Sequence, residues 1–251
     1  MNVSVKTPRE IALMREAGKN LALAHEYVEK NISPGMSTMD VNELADDYIR
    51  SRGCVPNFLN YEGFPATACV SLNDEVVHGI PKSDRKLMEG DIVSIDMGLI
   101  YEGYHSDAAR TYGVGHISRE AELLIERTRN SFFEGIRYAR AGRHLHDISR
   151  AIAGYASHYH YGVVRDLTGH GIGTHLHEDP PIPNNFKLTP GIKLLPGMTL
   201  AIEPMITLGT WRVVWLDDDW TVVTADGSLS AHYENTVLIT DGEPEILTLI
   251  N

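Results

Sequence analysis

Asp96 and Asp107 are the first residues of this chain whose placement asks for a chemical reason. Ile92, Val93 and Ile95 read as a buried, β-branched strand bounded by Glu89-Gly90-Asp91, with Asp96 at its end. Asp107 returns eleven residues later on the second arm of a hairpin whose turn is Tyr101-Glu102-Gly103-Tyr104. An unpaired buried charge is costly, so two carboxylates aimed at one place ask for a cation there. Taken alone, the pair reads as solvated aspartates flanking a turn, since most aspartates are exposed.

A second copy of the pattern changes that reading. Leu87-x-x-Gly90-x-x-Val93-x-Ile95-Asp96 recurs as Leu194-x-x-Gly197-x-x-Leu200-x-Ile202-Glu203, an offset of 107 residues. The same offset relates Gly35 to Gly142, Asp40 to Asp147, Val41 to Ile148 and Tyr48 to Tyr155. A repeat of this length implies two similar halves, each delivering a carboxylate at the end of an equivalent strand. Ser230-Ala231-His232-Tyr233-Glu234 occupies the place of His105-Ser106-Asp107 after a hairpin, which adds Glu234. Four carboxylates, Asp96, Asp107, Glu203 and Glu234, then balance two divalent ions. His170, in the glycine-rich run Gly169-His170-Gly171-Ile172-Gly173, is the best neutral nitrogen donor among the 12 histidines. No Gly-Lys-Ser/Thr follows these glycines, so they do not read as a phosphate loop.

The elements that must position these groups are legible in order. Thr7-Pro8-Arg9-Glu10 is a capping box with proline at the first helical position, and it predicts a helix to about Asn31. Ser37 or Thr38 opens a second helix that Gly53 stops. Short strands follow at Ala68–Leu72 and Val76-Val77, and then the aspartate hairpin. The cycle restarts with a long helix from about Arg119 to Arg140 and another from about His146 to Tyr159. A proline-rich loop is expected through Pro190, then strands at Met198–Glu203, Trp211–Trp215, Trp220–Val223 and Asn235–Thr240. Helices followed by antiparallel strands in each half predict an α+β fold, helices packed outside a curved antiparallel sheet. The expected unit is one catalytic domain, 1–251, made of halves at about 1–115 and 116–251.

The composition is that of an ordinary globular protein, 43% hydrophobic and 22% charged. A net charge of -12 argues against nucleic acid as a partner. No signal peptide or membrane-length apolar stretch is read in the chain. Two cysteines, Cys54 and Cys69, form no disulfide framework, so a reducing, cytoplasmic setting is expected. Asp217-Asp218-Asp219 lacks the spacing of a calcium loop and reads as a solvated hairpin tip. His144 and His146 flank a helix start without a partner set of ligands.

Taken together, Val77-His78-Gly79-Ile80-Pro81, Ile95-Asp96-Met97-Gly98, Asp107, Gly169–Gly173, His177-Glu178, Ala201-Ile202-Glu203-Pro204 and Tyr233-Glu234-Asn235-Thr236 resemble the type I methionine aminopeptidases of peptidase family M24. The motifs fall in the right order across nearly the whole chain. The resemblance implies the pseudo-twofold "pita-bread" fold shared with creatinase and prolidases. It implies a dinuclear-metal aminopeptidase that removes the N-terminal methionine from nascent proteins and peptides with a small second residue, acting as a monomer without nucleic acid or membrane. It implies Asp96, Asp107, His170, Glu203 and Glu234 as metal ligands, with Asp107 and Glu234 bridging. An oxygen-rich set with one imidazole suits Co, Mn or Fe. His78, His177 and Glu203 would be catalytic, with His78 and His177 also touching substrate. The methionine pocket would fall on Phe58, Tyr61, Phe64, Cys69, Leu176 and Trp220, where Phe58 and Leu176 depart from the common pattern. Two other readings carry less weight: a prolidase-like dipeptidase, for which the chain lacks the usual extra N-terminal domain, and a non-catalytic interaction module, which would have shed ligands.

Overall fold

In the computed structural model, which describes residues 2–250, each of four helices begins where a side chain satisfies its free amide groups. Helix α1 (Pro8–Asn31) is capped by Thr7, whose own amide donates to the Glu10 carboxylate at 2.7 Å. Ser37 and Asp40 form the same box for α2 (Thr38–Ser51). Ser118 caps α3 (Arg119–Ile136), and the Asp147 carboxylate accepts from the His144 amide at the start of α4 (Leu145–His158). Helix α3 stops short of the expected Arg140. The amides of Ala141 and Gly142 bond instead to Thr240 and Leu194 carbonyls, which draws the chain out of the helix. Ala139 is buried all the same.

The strands before α3 are β1 (Val55–Pro56), β2 (Ala68–Leu72), β3 (Glu75–Val77), β4 (Ile92–Tyr101) and β5 (Tyr104–Gly113). Those after α4 are β6 (Gly162–Val163), β7 (Thr168–Gly171), β8 (Glu178–Pro183), β9 (Thr199–Ile202), β10 (Met205–Thr207), β11 (Val213–Trp215), β12 (Val222–Thr224), β13 (Ser230–His232), β14 (Asn235–Leu238) and β15 (Glu245–Ile246). Where the sequence suggested one curved sheet, hydrogen bonding divides these strands into four antiparallel sheets. Their orders are β1-β4-β2 with β5 beside β4, β13-β10-β6, β11-β12-β3, and β15-β14-β9-β7-β8. Leu21, Val28, Val41 and Ile49 of α1 and α2 pack on Val70, Val93, Ile95 and Leu99 of the first sheet. Phe132, Ile148 and Ile152 of α3 and α4 pack on Leu200, Ile202 and Val237 of the five-stranded one. Each helical pair therefore covers one sheet with the apolar face its periodicity supplies. Among the described residues, no helix is long and apolar enough to cross a membrane.

Two strand assignments differ from expectation in ways that matter to the site. Asp96 does not end its strand; β4 runs on to Tyr101 and pairs with β5 along its whole length. The tight turn is Glu102-Gly103, both with positive φ (48° and 84°), as a two-residue hairpin turn requires. The segment 178–183, expected as part of a proline-rich loop, is strand β8 at the edge of its sheet, where prolines interrupt only an outer ladder.

Gly169, beside His170, lies so close to β9 that a methyl group there would overlap the Ala201 carbonyl oxygen and press on the Glu203 side chain. Gly169→Ala is expected to cost about 1–3 kcal/mol of stability by overpacking. Thermal unfolding of the variant checks this, and an unchanged melting temperature would show that β7 and β9 can part.

Candidate metal centre

The hairpin register sets the first two carboxylates. Asp96 pairs with Ala109 and Asp107 with Gly98, so the aspartates sit diagonally across the ladder on the same face. Asp107 is then tied to the carboxy-terminal strands: its amide donates to Thr236 Oγ1 at 3.0 Å, and Thr236 Oγ1 donates back to its carbonyl at 2.9 Å. Farther along the same edge, the Glu234 amide donates to the Ala109 carbonyl at 3.0 Å and the His232 amide to Thr111 Oγ1 at 2.9 Å. This seam places Glu234, between β13 and β14, beside the aspartates. Glu203 follows β9 directly, and its carbonyl accepts from Asn184 Nδ2 at 2.9 Å. His170 pairs with Ala201 from β7.

Every site residue proposed from the sequence lines one cavity of about 200 Å³: Asp96, Asp107, His170, Glu203 and Glu234; His78 and His177; and Phe58, Tyr61, Phe64, Cys69, Leu176 and Trp220. One ligand atom each from Asp107, His170 and Glu234 lies within 4.8 Å of the others, and the same holds for Asp96, His232 and Glu234. His170 Nε2 stands 3.7 Å from Asp107 Oδ2 and 3.7 Å from Glu203 Oε1. Its Nδ1 donates to the Gly171 carbonyl at 2.8 Å, which leaves the Nε2 lone pair for the site.

Among the described residues, only imidazoles make ion-pair contacts with these carboxylates, at 3.7–3.8 Å. Asp96 Oδ1, Asp107 Oδ1 and Glu234 Oε1 are buried without a hydrogen-bond partner. Such orphaned oxygens are what a metal-ligand set leaves behind when only protein atoms are counted, and the donors fit divalent ions. Burial, then the charge of its neighbours, raises Asp96, Glu203 and Glu234 well above the ordinary carboxylate range; burial also pushes Asp107 up to about 7. Burial acts oppositely on the imidazoles, lowering His78, His170 and His177 to about 4 and His232 to about 3. All four are neutral rings at physiological pH.

The apolar wall comes from elsewhere. Phe58, Tyr61 and Phe64 follow β1, around a single turn of tight helix at Tyr61–Gly63. Trp220 is held by the Asp218 carboxylate, which accepts from the amides of Trp220 and Thr221; the expected solvated tip is thus a turn that aims an indole. Phe64 and Trp220 meet edge to face at 5.1 Å. His78 takes φ +58°, a left-handed conformation rare for a side-chain-bearing residue and enriched where structure serves function. The sequence reading passed over His232, although strand alternation two residues before Glu234 is a signal that could have found it.

Comparisons with known proteins bear on the family and the fold. Residues 12–241 match the family described as metallopeptidase family M24. A methionine aminopeptidase of Clostridium acetobutylicum is 51% identical over 98% of this chain and 99% of its own. The crystal structure of a methionine aminopeptidase from Thermotoga maritima superposes with a TM-score of 0.97 at 44% identity, covering 99% of this chain and 100% of that one. An Xaa-Pro dipeptidase from Bacillus anthracis, 23% identical, shares the fold with a TM-score of 0.78 over 98% of this chain and 62% of its own. The architecture is the pita-bread fold.

Without its ions the cluster should oppose folding as pH rises. A carboxyl whose folded value exceeds its unfolded one gives stability that is full below the unfolded value and lost as pH climbs through the folded one. Above about pH 7 unfolded histidines (ordinary value near 6.5) are neutral in both states, so the carboxyls decide the sign. Chelator-treated protein is therefore expected to melt lower at about pH 9 than at about pH 7, and added Mn should restore it. Calorimetry at the two pH values checks this; a flat or rising melting temperature contradicts the crowded acid cluster.

Proposed function

Because this chain belongs to metallopeptidase family M24, we propose that its acidic cavity removes the N-terminal methionine from nascent proteins and peptides whose second residue is small. The observation that carries the reading is the convergence of four carboxyl groups, three buried and Glu203 largely so, and a singly hydrogen-bonded imidazole on a cavity with an apolar wall. The near full-length identity to a methionine aminopeptidase supports the same substrate. The prolidase alternative has support from fold alone. An interaction module gives no reason to keep every ligand type.

Asp96, Asp107, His170, Glu203 and Glu234 would hold two divalent ions, Glu234 belonging to both groups of clustered ligand atoms, and the oxygen-rich set suits Co, Mn or Fe. When bound, such ions polarise a carbonyl and make water a stronger acid. The remaining chemistry belongs to the protein. Glu203, whose proton affinity burial has raised, takes the proton of the attacking water and returns it to the leaving nitrogen. Tyr61 Oη lies 2.8 Å from His177 Nδ1. If the phenol donates there, the ring keeps its proton on Nε2, free to donate to the scissile carbonyl oxygen as it gains charge. His78 faces the scissile amide. Phe58, Tyr61, Phe64, Cys69, Leu176 and Trp220 take up the methionine side chain, whose flexible thioether packs well against ring edges. Only a free α-amine can approach the acidic end of the cavity, which restricts the cut to residue one.

The chain acts as a single catalytic domain of two related halves, about 1–115 and 116–251. Recurring contacts support the halves. The amide of Gly35 bonds to Leu87 as that of Gly142 does to Leu194, and Ser37 bridges to Lys86 as His144 does to Lys193. Met1 and Asn251, the ends of that span, lie outside the described residues. Action as a monomer in the cytoplasm, without nucleic acid or membrane, fits the free buried thiols of Cys54 and Cys69 and the net charge of -12.

Met-Ala-Ser should be hydrolysed to methionine and Ala-Ser, while its N-acetylated form should be inert; cleavage of the blocked peptide, followed by mass spectrometry, would remove the case for an aminopeptidase. Glu234→Ala should abolish turnover by removing a shared ligand. His177→Ala should lower kcat by roughly 100-fold or more with metal content unchanged. Loss of metal from the His177 variant would mean that its ring is a ligand instead.

A further inference from the structure

We propose that His232 is a sixth metal ligand, giving the ion beside Asp96 a nitrogen donor to match the one His170 gives its neighbour. The proposal rests on the two-ion reading above and adds a residue that the five-ligand set omits.

His232 is 1% exposed, and neither ring nitrogen has a hydrogen-bond partner. Buried imidazoles are normally satisfied. His25, 3% exposed on the far side of the first sheet, shows this: its Nε2 is 2.8 Å from the Ala108 carbonyl and its Nδ1 is 3.3 Å from Tyr112 Oη. His232 is instead aimed at acids. Its Nε2 lies 3.7 Å from Glu234 Oε2 and 3.8 Å from Glu203 Oε2. These separations are too long for hydrogen bonds. They are the spacing His170 Nε2 keeps from Asp107 and Glu203, 3.7 Å to each. Two donors at about 2.0–2.2 Å from a common ion stand up to about 4 Å apart, so both rings occupy ligand positions.

The side chain is not there by accident of a loose loop. His232 pairs with Met205 across β10 and β13, and Thr111 Oγ1 bonds both its amide and its carbonyl at 2.9 Å. Two residues on, Glu234 presents to the same side, and one ligand atom each from Asp96, His232 and Glu234 falls within 4.8 Å of the others. The carboxylates alone, Asp96 and Glu234 with Asp107, would leave that ion an oxygen-only environment. An added imidazole shifts its preference from Mn towards Co, Ni or Zn.

The test uses the full chain loaded with Co(II). Metal analysis counts the ions, and proton magnetic resonance counts imidazoles whose ring signals the paramagnetic ion moves far outside the ordinary range. Two ions and two shifted imidazoles are expected. His232→Gln should remove one set and His170→Gln the other, and calorimetric titration of the His232 variant should show the weaker cobalt ion bound at least about tenfold less tightly. Two cobalt ions with a single shifted imidazole, lost only in His170→Gln, overturns the proposal and leaves the two-ion reading standing. A wild-type chain that takes up one ion overturns both, and the metal count tells the two failures apart. The wild-type spectrum decides the matter even if a variant does not fold, and His232→Asn provides a second variant.

Discussion

Four carboxyl groups crowd into a space that bulk water barely reaches, and most of the architecture serves to keep them there. Each repels the others once ionised, and burial adds the cost of stripping water from every charge. A chain free to relax would swing at least one of them outward. None can move here, because each is fixed by backbone pairing rather than by a flexible side-chain contact. Asp96 and Asp107 belong to a continuous ten-residue ladder, Glu203 directly follows a central strand, and Glu234 is bonded through its amide to that same ladder. The protein therefore tolerates an unfavourable electrostatic arrangement, which divalent cations convert into a favourable one.

The seam between β5 and the segment 230–236 is where the two runs of structure commit to each other. Thr236 and Thr111 use hydroxyl groups to extend a ladder that backbone geometry alone does not complete. Arg110 reinforces it by donating to Asn235 Oδ1 at 2.6 Å and to the Glu234 carbonyl, while lying over the Tyr233 ring at 4.5 Å. Among the described residues that line the cavity, Arg110, Thr111, Tyr233, Asn235 and Thr236 do not figure. Stability of the junction and geometry of the site are thus the same property, and changes at Thr111, Arg110 or Thr236 act on both.

Much of this was legible in the sequence because the relevant signals are local. Capping boxes fixed the starts of α1 and α2, and a repeated run of glycines and β-branched residues exposed Asp96 and Glu203 as equivalents. What escaped depended on partners far along the chain. Helix α3 ends early because loop carbonyls at 194 and 240, distant in sequence, take the amides of Ala141 and Gly142. Asp96 lies mid-strand, since β4 has neighbours on both sides that no local pattern announces. Prolines at 180, 181 and 183 suggested a loop, yet an edge position lets them join a ladder. His232 was hidden for a different reason: one histidine among 12 stands out only when its two-residue alternation with Glu234 is read as strand periodicity.

The site is also built from two kinds of structure with different freedom to change. The acids ride on paired strands, where a shift of one residue would turn every side chain to the opposite face. The apolar wall rides on the stretch 57–67, the approach to His177 and the hairpin tip before Trp220, segments that surround the sheets without ordering them. A dipeptidase only 23% identical keeps the same fold, as expected if strand pairing constrains the frame far more tightly than loops constrain the wall. Phe58 and Leu176 stand on that adjustable side, 8% and 2% exposed and packed in one cluster with Cys69 and Phe64. A larger ring at one position and a smaller aliphatic at the other can exchange volume within the cluster while the acids stay where β4, β5 and β9 put them. The acid cluster and the apolar wall are therefore separable in this fold, with the first set by register and the second by loop packing.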